Sequence, residues 1–170
     1  MTRKTVPPPT RGRGMKPVRL FVSYSHLNQA WFVRLRPLLK FDTQPHVAYV
    51  WHDHELKAGD HWDKEIREEL EQMDVFVCLV SYEFLASDYI RDVELPLALV
   101  REKKGEVEIV PIVLFPMDIQ KESPELYAFN PLPAFGRCWS EYEQNCGHYQ
   151  NAHKPIRDGL WQAIEKVQSR

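Results

Sequence analysis

A chain of 170 residues, 44% of them hydrophobic, has the material for one globular domain and too little for two comfortable ones. Its formal charge of −2 is unevenly spread: five of the 22 basic residues fall in the first sixteen, which hold no acid, leaving 17 basic against 24 acidic side chains and a balance of −7. An acidic globular part argues against nucleic acid as the main partner, because phosphate recognition needs a clustered basic face.

Cys78, Cys138 and Cys146 fit no paired spacing, and Cys78 lies inside an apolar run. They are expected to be reduced thiols of a cytoplasmic protein. The apolar stretches "VFVCLV" and "IVPIVLF" are strand-length, far short of the roughly 18 residues a membrane helix requires. No membrane segment or signal peptide is therefore expected.

Residues 1–17, "MTRKTVPPPTRGRGMKP", are rich in Pro, Gly and Arg and read as a disordered basic leader or linker ahead of a domain at 18–170. "VRLFVSYS" predicts the first strand. A helix should follow from Asn28, its N-cap, through Trp31, Leu35 and Leu38, kinked or shortened at Pro37. "VAYVW" predicts a second strand and "HDHELKAGDHW" a polar loop. The next helix opens on a weak capping box, Asp60 and Asp63. It turns Trp62, Ile66, Leu70 and Met73 inward and pairs Asp63 with Arg67 and Lys64 with Glu68 outward.

"VFVCLVS" is continuously apolar, the pattern of a strand covered on both faces. A helix is expected over much of 88–104, with Pro96 either opening it or kinking it. "EIVPIVLF" predicts the fourth strand, paired regularly only after Pro111. Residues 118–154 are Pro-rich, with "FGRCW" the only candidate fifth strand. The last helix carries an apolar stripe of Ile156, Leu160, Trp161, Ile164 and Val167 despite Gly159.

Alternating strands and helices predict a flavodoxin-like α/β sandwich: a five-stranded parallel sheet of order 2-1-3-4-5 with helices on both faces. In that topology a ligand binds beyond the carboxyl ends of strands one and three, where the winding reverses. Those ends carry Tyr24, Ser25 and His26, and Ser81 and Tyr82, and Glu94 follows thirteen residues after Ser81.

"FVSYSH", "DHELKAGDHWDKEIREEL" and "DVFVCLVSYEFLASDYIRDVEL", in that order, resemble the three boxes of the Toll/interleukin-1 receptor (TIR) domain, nearest its prokaryotic branch. The likeness runs from about Val18 to Gln168. It implies that Glu94, five residues after the aromatic Tyr89, is the catalytic glutamate of a NAD+-cleaving enzyme. The substrate is NAD+, and no separate cofactor or metal is implied. Tyr24, Ser25, His26, Ser81, Tyr89 and Trp62 become candidate substrate contacts. Trp62, like Phe21, is read first as a core residue. Asp53, Glu55, Leu56, Lys57, Gly59 and Asp60 fall in the BB loop through which such domains associate.

The resemblance further implies activity on self-association, a role in prokaryotic immune defence, and a sensor domain or partner as activator. The alternative is a non-catalytic TIR–TIR scaffold. Other constellations are weaker. His52, His54 and His61 with Asp53 and Asp60 lack a full set of metal ligands at familiar spacing. A phosphoreceiver needs acids where this chain has Ser23 to His26, and no Gly-rich phosphate loop is present.

Overall fold

The computed structural model describes residues 17–43, 47–52, 62–134, 136–143 and 149–170. β1 (Val18–Tyr24), β2 (Val47–His52), β3 (Val75–Val80) and β4 (Glu108–Val113) form one parallel sheet in the order β2-β1-β3-β4. β3 is buried along its whole length, as its unbroken apolar run requires of a central strand. Alternate residues of each strand feed two cores. On one side Leu20, Val22 and Leu79 pack under α1 (Gln29–Thr43) and α8 (Tyr149–Gln168). On the other, Phe21, Phe76 and Cys78 pack under α2 (Trp62–Gln72) and α4 (Leu95–Lys103).

Among the described residues the sheet has four strands, not the expected five. "FGRCW" contributes no strand, since α7 (Trp139–Glu143) begins at its last residue. Among the described residues the fifth position is reached by Leu132, which bridges Ile112 in parallel. Its amide donates to the Pro111 carbonyl at 2.8 Å, and its carbonyl accepts from Val113 at 2.9 Å. Pro131 and Pro133 flank it, but their nitrogens face away from β4; the next amide able to face β4, that of Asn130, sits at φ 54° and donates to the Tyr127 carbonyl at 3.2 Å instead. Pro111 itself does not delay pairing, for β4 matches β3 from Glu108 onward. Its carbonyl faces Leu132, so its missing N–H also faces that outer side, and no bond to β3 is lost.

α1 runs through Pro37 to Thr43 instead of stopping there. Pro37 is exposed, and the Val33 carbonyl it leaves without an amide lies on the same wet side. α8 buries Ile156, Leu160, Ala163, Ile164 and Val167, while Trp161 is half-buried. Gly159 lets this helix cross Leu132, whose side chain would stand 2.5 Å from an added Cβ. Three further short helices are α3 (Tyr82–Ala86), α5 (Ile119–Glu122) and α6 (Pro124–Tyr127). None of the described helices is long and apolar enough to cross a membrane.

Candidate active site

β1 and β3 are neighbours, with β2 on one side and β4 on the other, so the winding reverses between them. The crevice lies where the chain leaves these two strands. After Tyr24, Ser25 caps a single 3-10 turn (His26–Asn28) by accepting the Leu27 amide at 3.4 Å. The cap expected at Asn28 thus belongs to Ser25. After Val80, the Ser81 hydroxyl caps α3, accepting from the Phe84 amide at 3.0 Å and donating to Asn28 Oδ1 at 2.6 Å. This bond ties the two loops together, and it places Ser81 in the wall of the crevice, fully buried, rather than at its surface.

Glu94 answers to none of the patterns of a solvated helix residue. It is only 2% exposed. The helix bearing it carries a π-turn, Ile90–Glu94, in which the Leu95 amide reaches back to the Ile90 carbonyl. Pro96, in the first turn of α4, accounts for the widening: it has no N–H to give, and a regular turn would press its ring on the carbonyl four residues back. Pro96 thus opens α4 in its first turn, as one of the two expectations had it, but α4 runs on without a gap from the widened turn before it, and Glu94 falls on the side facing the sheet.

There the Ser23 hydroxyl, also buried, donates to Glu94 Oε2. Cys78, the register partner of Ser23 on β3, lies beneath. Burial pushes its thiol well above the ordinary range, and the negative charge of Glu94 pushes it further. A neutral thiol and a hydroxyl thus form the floor under the carboxylate.

A cleft of about 410 Å³ opens above, lined by Tyr24, Ser25, His26, Tyr89, Ile90 and Glu94 among others. Five of the sequence-level candidates therefore meet in one cavity. Tyr24 stacks on Phe32 at 5.1 Å with rings 6° apart, and its hydroxyl lies 3.4 Å from His52 Nδ1. Tyr89 donates its hydroxyl to Asp63 Oδ1 at 2.8 Å. Burial first, then this bond, raises its phenol above the ordinary range. Asp63 is held low by its bond from Arg67, and next by Tyr89. The start of α2 is in this way fastened to the helix that carries Glu94.

Phe21 is the core residue expected, outside the cleft and stacked on Trp51 at 4.6 Å and on Phe76 at 5.7 Å. The Trp62 side chain, and the BB-loop positions Asp53, Glu55, Leu56, Lys57, Gly59 and Asp60, lie outside the described residues. Among the described residues no group of three His, Cys, Asp or Glu side chains is arranged to hold a metal ion. Sequence reasoning passed over Ser23, although it shares a strand face with Phe21. It also passed over Glu83, an exposed acid at the cleft's rim. Glu83 is held low by its own amide at the start of α3 and next by Ser81.

Comparison with known proteins agrees with the boxes read in the sequence. Over 95 residues the chain is 34% identical to the Uncharacterized protein y4lF of Sinorhizobium fredii (strain NBRC 101917 / NGR234), a match covering 56% of this chain and 29% of that protein. The chain thus spans a little under a third of that relative. Among solved structures, the TIR domains of the activated Roq1 resistosome directly recognizing the pathogen effector XopQ align with a TM-score of 0.48 and 19% identity. That alignment covers 87% of this chain and 84% of theirs. The family model described as TIR domain matches residues 20–147, a span that runs from within β1 past β4 and includes the crevice and Glu94. The chain belongs to the TIR domain family.

Proposed function

We propose that this domain cleaves the bond between nicotinamide and ribose in NAD+, with Glu94 as the catalytic residue. The observation that carries the reading is a carboxylate 2% exposed, yet lining a cleft at the reversal of the winding. Burying an ionisable group without a task is costly. The cleft's volume falls within the range of small-molecule sites.

The chemistry explains why one carboxylate suffices. Glycosidases pair two, because one must protonate the leaving oxygen. Nicotinamide in NAD+ is already a cationic pyridinium; when the C1′–N bond breaks, the electron pair leaves with it and the ring departs neutral. The ribose left behind is oxocarbenium-like, and an anion held beside it in a dry cleft lowers the barrier. Water then adds at C1′ and releases a proton, giving ADP-ribose; attack by an adenine nitrogen instead closes a cyclic product. Tyr89 stacks on the nicotinamide or walls off water, and Ser25 and His26 bond ribose or phosphate. Tyr24 supports that wall from within the core.

Self-association through the BB loop switches the enzyme on, as the family implies, and the biological setting is prokaryotic immune defence with a sensor domain or partner as activator. The test is NAD+ incubated with the purified chain over a wide range of concentration, with free nicotinamide read by chromatography. Specific activity rises steeply as molecules assemble. No nicotinamide, even from forced assemblies, would leave the domain as a non-catalytic association module.

A further inference from the structure

We infer that Ser23 is the positioning residue for Glu94: its hydroxyl fixes the carboxylate at Oε2 and favours its ionised form against the cost of burial. The geometry of this bond stands on its own, while its consequence for turnover rests on the nucleosidase reading. Three observations converge. Ser23 is fully buried in the middle of the sheet, on the same face as Phe21, where the other inward positions of that core are apolar or a thiol. Its hydroxyl points at the carboxylate of a residue 71 positions away. Its register partner is Cys78, so two small side chains stand side by side on neighbouring strands, and together they leave the space that the Glu94 side chain enters.

The physical need is plain. Burial favours the protonated form of a carboxylic acid, and a hydrogen bond given to the anion opposes it. A thiol is a weak donor, and Cys78 cannot replace the hydroxyl. Among the described residues the other ionisable groups lining the cleft are Tyr89 on the same helical segment, Tyr24 at the end of β1, His26 on the turn after it and Glu83 on α3. On top of burial, the charge of Glu94 is felt by Cys78 and Tyr89, both of whose acidic protons it holds more tightly. The bond also holds the carboxylate's plane, which decides whether its charge meets the ribose.

The experiment uses the full chain with its glutamates labelled at the carboxyl carbon, the Glu94 signal being assigned by its loss in Glu94→Gln. In Ser23→Ala the Glu94 carboxyl titrates at higher pH than in the wild type, while Ser23→Thr, which keeps the hydroxyl, returns it. Where the wild type releases nicotinamide, Ser23→Ala lowers kcat on the order of 10–100-fold, the range of one charge-assisted hydrogen bond. KM changes little, and the acid limb of the kcat profile moves to higher pH in step with the carboxyl signal. Should the alanine variant not fold, Ser23→Cys, of similar shape but a weaker donor, shows the same displacement. An unchanged Glu94 titration in the folded variant overturns the inference. A wild type without nicotinamide release sinks the nucleosidase reading alone, because the carboxyl titration still decides what Ser23 does.

Discussion

Glu94→Gln removes one negative charge and leaves almost the same shape. The side chain is 2% exposed and receives the Ser23 hydroxyl, a bond that the amide oxygen of Gln also accepts, though without the charge. Folding should therefore survive. A buried carboxylate costs desolvation that an amide largely avoids, so the midpoint of thermal unfolding should hold steady or rise, with a change within about 1 kcal/mol. Activity should not survive. A full charge about 4 Å from a cationic ribose, at an effective dielectric constant near 20, interacts by about 4 kcal/mol. An amide dipole recovers part of that, which leaves a loss of roughly 10²–10³ in kcat. The assay is nicotinamide release by assembled protein, with calorimetry on the same preparations. A variant that melts like the wild type and turns over within about threefold of it would refute the argument, since the charge would then contribute nothing.

Ser81→Ala removes both the α3 cap and the bond to buried Asn28. Urea unfolding should show a loss of about 1–3 kcal/mol, with turnover per folded molecule little changed. Gly159→Ala should destabilise by about 1–2 kcal/mol despite the better helix propensity of alanine, because the new methyl meets Leu132 at 2.5 Å; adding Leu132→Ala should recover part of the loss relative to Leu132→Ala alone. Tyr89→Phe should alter the alkaline side of the stability curve. The phenol's folded value lies above its ordinary 10.0, so above pH 10 the unfolded chain releases this proton while the folded one keeps it, and stability falls as pH rises. The wild type should therefore lose stability above pH 10 by more than Tyr89→Phe does, and parallel curves would contradict that.

The general layout was legible because it depends on patterns with a strong physical cause. β3 reads as central from an unbroken apolar run, and the carboxyl ends of β1 and β3 follow as the site once strands and helices alternate. That logic also placed Glu94 near the crevice by its distance from Ser81. What the pattern could not carry is how individual hydrogen bonds are shared. Ser23, Ser25 and Ser81 are alike in sequence, yet one holds the carboxylate, one caps the turn beside the cleft, and one is spent inside the wall. Alternation along β1 separates Ser23 from Tyr24, but only the fold shows what faces it.

Pro111 was misjudged for the same reason. The effect of a missing N–H depends on which way it points. Pro111 faces the outer edge of the sheet and disturbs nothing, Pro37 faces water, and Pro96 widens a turn that delivers Glu94 to the sheet. At the fifth position the single bridge of Leu132 has another cause: Asn130, with φ 54°, turns its amide back to Tyr127 and leaves no second bond to β4.

The most direct measurement is a structure of the assembled domain with a NAD+ analogue that resists cleavage at the nicotinamide–ribose bond. The account predicts the nicotinamide-bearing ribose against Glu94, with the carboxylate about 2.6–3.2 Å from a ribose hydroxyl, Tyr89 beside the departing ring and Ser23 still bonded beneath. An analogue seated elsewhere, or bound with only its adenine half near Glu94, would contradict it.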